Sequence, residues 1–340
     1  MKTADKKVSI ITATFNCISR NNKSYFYEMF RSIHEQDYPN IEHVIIDGGS
    51  KDGSVDFINN LIEKYGKKEI IFISEKDKGI NDATNKGFNR ASGEYITLMC
   101  DDDFYIQPYA ISKMMEALNN NNADYVYSST WWLNRAVWTG EAISFAWRHP
   151  FLINACIFRK NIFKTEPYLD IKYPMVGDYD FFMRLIKQPE LKEVKVDDVL
   201  TVLRPGGFSQ SSNNKYIKEI EEILGKHFDS KHIKGHDLWQ QLHQQRPSFF
   251  LLLKIKMFCP NEKIKASVFN AFGNKKYIIR RIKTIIKKLI LYSVWPRFIK
   301  IGIKNFRQGL KKNQLNNSPK ILYSTKESRM WIETFYEDLY

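Results

Sequence analysis

A mainly parallel α/β sheet with helices on both faces, followed by a helical C-terminal region, is the fold class predicted by this 340-residue sequence. Three observations predict it. Apolar runs of strand length alternate with amphipathic stretches of helix length through the first third of the chain, the mark of repeated βα units. The turns after the apolar runs concentrate Asp and Gly, residues suited to tight or left-handed backbone. Hydrophobic residues make up 43% and aromatics 14% of the chain, enough for a packed core. The length suits one large α/β unit with an appendage, or two domains. The pattern divides the chain into 1–215, alternating, and 216–340, helical.

Each element follows from its residues. Val8 to Thr14 reads as a buried strand and Ser24 to Glu35 as a helix. Glu42 to Ile46 is a second strand ending in DGGS. Asp52 to Tyr65 forms a helix with Asp52 or Ser50 as N-cap. Glu69 to Ile73, Gly79 to Ala91, Tyr95 to Met99 and Gln107 to Asn119 continue as strand, helix, strand, helix. Tyr125 to Ser129 is a further strand after the turn NNNNAD. Trp131 to Arg148 is aromatic-rich and carries no periodicity that assigns it. Asp178 to Lys187 reads as helix and Val194 to Leu203 as strand, followed by the loop RPGGFSQSSNN. From about Tyr216 the pattern is helical only.

Ligands of such sheets sit beyond the carboxyl ends of the strands. That rule gathers Thr12 to Asn16, Asp47 to Gly49 and Asp101 to Asp103 at one rim. Read from the residues alone, the triplet Asp101, Asp102, Asp103 is either a solvated turn or a divalent-cation site. The second reading draws on hard oxygen ligands that suit Mg²⁺ or Mn²⁺ together with substrate phosphates. Asp47 precedes two glycines that allow close approach of a ligand, and its carboxylate can accept a base or ribose hydrogen bond; a plain turn is the alternative. GGSKDGS lacks the spacing of a Walker loop. Lys78 either balances a diphosphate or is a solvated surface group. Asp178 and Asp180 at a helix start have, on their own, a second reading as caps that complement the helix dipole.

The blocks VSIITATFN, SIHEQDYPNIEHVIIDGGSKDGS and ISEKDKGINDATNKGFNRASGEYITLMCDDD, followed by INACIFRK, GDYDFFMRL and VDDVLTVLRPGGFS, together resemble family 2 glycosyltransferases of the GT-A (nucleotide-diphospho-sugar transferase) fold. The likeness is closest to the bacterial enzymes of surface-polysaccharide biosynthesis and covers roughly residues 6–212. It implies a metal-dependent, inverting transfer of a sugar from a nucleotide-diphosphate donor, a UDP-sugar first among them, to a hydroxyl of a glycan or polyprenyl-linked acceptor. By position it places the donor nucleotide against Thr12, Thr14, Asn16, Asp47, Lys78, Asp82 and Asn85, with Asp101 beside them. The family's Asp-x-Asp motif puts Mn²⁺ or Mg²⁺ on Asp102 with Asp103 in support, while Cys100 stands where the first Asp usually does. A second register would use Asp101 and Asp103. Asp178 matches the catalytic base, although the residue before it, usually Glu, is Gly177. Arg184, six residues after Asp178, matches the Arg of the same block and is grouped with Gly206, Gly207 and Ser209 as a donor or acceptor contact. The loop RPGGFSQSS, with glycines for mobility and hydroxyls for phosphate, either closes over the donor and excludes water or is a plain surface connection. Relatives often carry His where Ile153 stands, so that position is assigned no role.

Net charge is +14, and it is concentrated. Residues 275–312 hold 13 of the 52 Lys and Arg and no Asp or Glu, which accounts for nearly the whole excess over the 38 acidic residues. Within KKYIIRRIKTIIKKLILY the apolar residues fall on one helical face, as in an interfacial helix on an anionic membrane; a helix packed on the body with a solvated basic face is the alternative. The upstream run FFLLLKIKMF can add to it. No signal peptide and no membrane-spanning run are visible, and four scattered cysteines fit a reducing compartment. The expected location is cytoplasmic, peripheral on the inner face of the membrane. No nucleic-acid module accompanies the basic run, so nucleic acid is not an expected partner. A nucleotidyltransferase on a similar sheet is the competing enzyme class.

Overall fold

The computed structural model describes residues 6–140, 150–163, 168–188, 191–207, 213–228, 231–243 and 247–272. The run 275–312 and Ser209 lie outside the described residues, as does most of the second half of the Trp131 to Arg148 region.

The first four βα units form as their sequence dictates. Strands β1 (Val8–Thr14), β2 (Ile41–Asp47), β3 (Glu69–Ser74) and β4 (Tyr95–Leu98) alternate with helices α1 (Lys23–His34), α2 (Ser54–Tyr65) and α3 (Ile80–Arg90). They pair in parallel in the order β3-β2-β1-β4. Helix α2 starts two residues later than expected, and its N-cap is Gly53 at φ 89°. Asp52 acts one position earlier, its Oδ1 accepting the Ser54 amide at 3.1 Å and its Oδ2 the Ser19 amide at 2.7 Å.

Beyond β4 the sheet is more mixed than the sequence suggested. The two-residue strand β5 (Phe104–Tyr105) precedes α4 (Ala110–Asn121); β6 (Tyr125–Trp132) and β7 (Ala136–Trp138) then form an antiparallel pair. Strand β8 (Cys156–Arg159) inserts antiparallel between β4 and β6, and β9 (Glu193–Leu203) runs parallel to β6 and antiparallel to β5. Strands of two to four residues are too short to show a period, so only pairing reveals them. Helix α5 (Gly177–Leu185) lies between β8 and β9.

Side chains alternate across β1: Val8 and Ile10 join a buried cluster with α1, α2 and α4, while Ile11 joins another with α3 and α5. That second cluster continues without a break into α6 (Asn213–Phe228), α7 (Gly235–Leu238), α8 (Phe249–Phe258) and α9 (Glu262–Phe272), through Ile220, Leu224, Leu238, Ile255 and Val268.

Two buried histidines are linked in a directional chain beneath the rim. The amides of Lys67 and Lys68 donate to His34 Nδ1 at 3.1 and 3.2 Å. That leaves His34 Nε2 to donate to His43 Nδ1 at 3.2 Å, and His43 Nε2 to donate to Thr12 Oγ1 at 3.1 Å. Burial, with Lys68 and Lys67 nearby, pushes His34 down to about 4, and burial beside His34 pushes His43 well below its usual value. Both rings are therefore neutral in the folded protein and charged in the unfolded chain at mild acidity. The unfolded state binds more protons between about 6.5 and about 4, so stability falls as pH drops through that window. His34 alone accounts for a loss of about 3 kcal/mol. Denaturant titrations across this range are expected to show the decline, and His34→Gln to flatten it; an equally steep profile in the variant would remove the pair as its cause.

Candidate active site

The parallel strands end level with one another. Thr14 is in register with Asp47, and Asp47 with Ser74, so three polar side chains line the carboxyl rim. Asp47 is fully buried and organises the turn below it. Its Oδ2 accepts the amides of Gly49 and Ser50 at 3.1 and 2.9 Å and the Ser74 hydroxyl at 2.6 Å, while the Ser50 hydroxyl donates to Oδ1. Asn16, at φ 48°, ties the first loop to the second: its amide donates to Ser50 Oγ at 2.7 Å and its Oδ1 accepts the Lys51 amide at 3.1 Å. Lys78 is exposed, with its amide donated to Asp82 Oδ2 at 3.0 Å in the first turn of α3.

Two residues assigned to the donor have their side chains committed elsewhere. The Thr12 hydroxyl ends the buried histidine chain, with Met29 Sδ at 3.8 Å. Asn85 pairs both ways with the backbone of Leu169, at 2.8 Å each, and fastens α3 to the segment before α5.

The triplet after β4 separates into three environments. Asp101 Oδ2 accepts the Thr14 hydroxyl at 2.7 Å and the Arg20 guanidinium at 2.5 Å. Burial raises its pKa, with Arg20 opposing. Asp103 is fully buried, and each of its oxygens accepts one hydrogen bond, from the Arg204 amide and from Asn154 Nδ2, both at 2.9 Å. Asp102 is half-buried; burial and the neighbouring charge of Asp101 push it up to about 6, against the pull of Arg20. Burial and the charge of Asp102 push Asp103 well above the carboxylate range. Asp102, Asp103 and the Cys100 thiol bring ligand atoms within 4.8 Å of one another. Two adjacent carboxyls both held above the usual carboxylate range in low dielectric are short of positive charge, and a bound cation would supply it. Their oxygen donors fit Mg²⁺ or Mn²⁺. Burial, followed by the charges of Asp103, Asp102, Asp101 and Asp178, holds the Cys100 thiol well above its usual value, so it is a weak ligand beside them.

Arg204, at the end of β9, supports this arrangement. It is 4% exposed. Its guanidinium pairs with the buried Glu28 of α1, donates to the Asp102 carbonyl at 2.5 Å, and sits over the rings of Tyr25 and Phe104 at 4.4 and 4.6 Å. The loop then brings Gly207 so close that a Cβ there would stand 3.4 Å from Asp102 Oδ2, while Gly206 turns at φ 91°. Removing one partner of a buried ion pair leaves the other uncompensated, so Arg204→Met is expected to cost about 3–5 kcal/mol. Chemical denaturation measures it; a loss under about 1 kcal/mol, typical of a solvated surface pair, would show that the clamp carries no such load.

Helix α5 presents Asp178 half-buried in its first turn. Its charge acts on the thiols of Cys100 and Cys156 and on Tyr216, which places it within electrostatic reach of the triplet. Its Oδ1 accepts the Tyr179 amide at 2.9 Å. Gly177 has a local cause: a Cβ there would stand 2.3 Å from Asn81 Nδ2, and that amide is already donated to the carbonyls of Asp170 and Tyr173 at 2.9 Å. Arg184 is held by Asp180, Nε to Oδ2 at 2.8 Å, and by the Tyr168 carbonyl. Asp180 is buried, yet hydrogen bonds from His227, Arg184 and Lys226 outweigh burial and hold its carboxyl below the usual range. Arg20, Glu28, Asn154 and Arg204 were missed in the sequence. Of these, Asn154 lay in the block INACIFRK, where it carried no assigned role, and Arg204 in RPGG, whose visible message was a loop.

A parallel rim with a buried aspartate at the second strand, an acidic cluster after the fourth and a further carboxylate at the start of α5 define a sugar-nucleotide transferase of the GT-A fold. The chain belongs to glycosyl transferase family 2, whose model matches residues 9–193. It is 27% identical over 215 residues to an uncharacterized glycosyltransferase of Haemophilus influenzae, covering 61% of this chain and 82% of that one. It is 25% identical over 172 residues to a PGL/p-HBAD biosynthesis glycosyltransferase of Mycobacterium bovis, covering 47% of this chain and 64% of that protein, just under two thirds of its length. Among solved structures, the mannosyltransferase PcManGT from Pyrobaculum calidifontis in complex with GDP-Man and Mn²⁺ superposes with a TM-score of 0.57 over 97% of this chain and 84% of that one. S. aureus TarS 1–349 in complex with UDP-GlcNAc superposes with a TM-score of 0.55 over 79% and 80%. Both are 16% identical, so the likeness is one of fold.

Proposed function

We propose that this chain is a metal-dependent, inverting glycosyltransferase that moves a sugar from a nucleotide-diphosphate donor to a hydroxyl of a glycan or lipid-linked glycan in surface-polysaccharide biosynthesis. The observation that carries the proposal is the cluster of Cys100, Asp102 and Asp103 after β4, with the Asp178 carboxylate of α5 within electrostatic reach of Cys100. Asp47, Asn16 and Thr14 frame the nucleotide end, and Lys78 with the first turn of α3 faces the diphosphate. Asp102 and Asp103 would hold the cation, with Gly207 close beside the Asp102 carboxylate. A Mg²⁺ or Mn²⁺ ion there supplies Lewis-acid stabilisation of the diphosphate as it departs. Asp178 takes the proton of the acceptor hydroxyl as that oxygen attacks the oxocarbenium-like sugar carbon from the face opposite the leaving group, which inverts the anomeric centre. The UDP-GlcNAc and GDP-Man bound by the two structural neighbours support a nucleotide-sugar donor. An acceptor on a lipid carrier would suit a protein held at a membrane by 275–312.

A screen of nucleotide sugars with Mn²⁺ or Mg²⁺ tests the reading. Release of the nucleoside diphosphate from one donor, with UDP-sugars first, is the expected result. Silence toward every donor counts against it, and pyrophosphate release from a nucleoside triphosphate would move the chain to the nucleotidyltransferases.

A further inference from the structure

Helix α8 is apolar on two opposite sides. Leu251, Leu252 and Ile255 are buried in the core. Phe250, Leu253 and Met257 are 70%, 42% and 63% exposed. At about 100° per residue, the exposed three form one stripe directly opposite the buried three. Lys254 and Lys256 fall on its two flanks; both are exposed, and neither meets a carboxylate among the described residues. An unbroken apolar stripe edged by cations is the surface of an interfacial helix, with rings and thioether in the acyl boundary and ammonium groups at the phosphates.

We infer that α8 is a membrane-insertion helix that docks the protein on an anionic lipid surface through Phe250, Leu253 and Met257, with Lys254 and Lys256 on the headgroup phosphates. No described helix is long and apolar enough to cross a membrane, and α8, ten residues and about 15 Å long, lies in the interface. Charge selects the occupant. Two copies stacked on this face would bring lysines against lysines. The run 275–312 that comes next after α9 carries 13 Lys and Arg and no Asp or Glu, so those lysines repel it, whereas an anionic surface attracts both. The inference shares its surface with the membrane reading of 275–312 and can fail independently of it.

The test is co-sedimentation of the full chain with vesicles of phosphatidylcholine plus phosphatidylglycerol, against phosphatidylcholine alone. The wild type is expected to bind the anionic vesicles preferentially. Phe250→Ser with Met257→Ser is expected to weaken that binding at least about tenfold at unchanged melting temperature, and Phe250→Leu with Met257→Leu to retain it. Four results would overturn the inference. Binding of the serine variant equal to wild type would leave the membrane to 275–312. A fall in melting temperature with binding unchanged would mean that the chain's own residues 273–340 cover the stripe. Loss of a wild-type dimer in sedimentation would assign it to a second copy. Equal wild-type binding to both vesicles, or to neither, would remove the anionic surface altogether.

Discussion

Replacing Asp178 by Asn is expected to lower sugar transfer by about 10²–10⁴-fold, the usual worth of a positioned general base, while donor nucleotide binding and melting temperature stay unchanged. The carboxamide keeps the shape of the side chain, and its oxygen can still accept the Tyr179 amide that Asp178 accepts at 2.9 Å. What it loses is the capacity to take a proton from the acceptor. Initial rates with donor and acceptor, set beside calorimetric titration of the nucleotide, separate chemistry from binding. Turnover at the wild-type rate would remove Asp178 as the base. Reduced nucleotide binding would show that the substitution disturbs the rim.

Asp102→Asn is expected to lower transfer by about 10²–10³-fold, as when one stabilising group is withdrawn from a departing anion. It should also abolish the response to Mn²⁺ or Mg²⁺ after EDTA treatment. Asp101→Asn is the control. Its carboxylate is already engaged by Arg20 and Thr14, so metal affinity measured by titration should change far less. A larger loss in Asp101→Asn than in Asp102→Asn would favour the register that uses Asp101 and Asp103. The pH dependence has a definite sign. Burial and Asp101 raise Asp102 to about 6, so cation affinity should fall as pH drops below that value. Without a cation, a carboxyl raised in this way favours the folded state in acid, and that stabilisation is lost as pH rises through about 6. Added metal should therefore stabilise the protein most at neutral pH.

Much of the rim was legible because its signals are local. Val8 to Thr14 forms a strand with the predicted bounds, and Asp47, Asp101, Asp102 and Asp103 come to one end of the sheet because parallel strands with short crossovers leave no other place for them. The acidic triplet was visible as a cluster, but its division of labour was not. Asp101 and Asp103 differ through Arg20, Asn154 and Arg204, which lie 81, 51 and 101 residues away from them along the chain. Thr12 and Asn85 illustrate the converse. Each sits in the right block, yet the Thr12 hydroxyl completes a buried histidine chain and the Asn85 amide holds the Leu169 backbone.

The sequence by itself determined the βα order, the rim and the residue types available for chemistry, since hydrophobic period and turn composition act over a few neighbouring residues. Only the tertiary structure decided where β8 enters the sheet and which aspartate is neutralised. It also decided why Gly177 replaces the expected Glu, through the Asn81 amide that a Cβ would strike. It alone separated the buried side of α8 from the exposed one, because a helix apolar on two opposite sides carries no period to tell them apart. Those outcomes depend on contacts between residues far apart in the chain, and such contacts leave no local pattern to read.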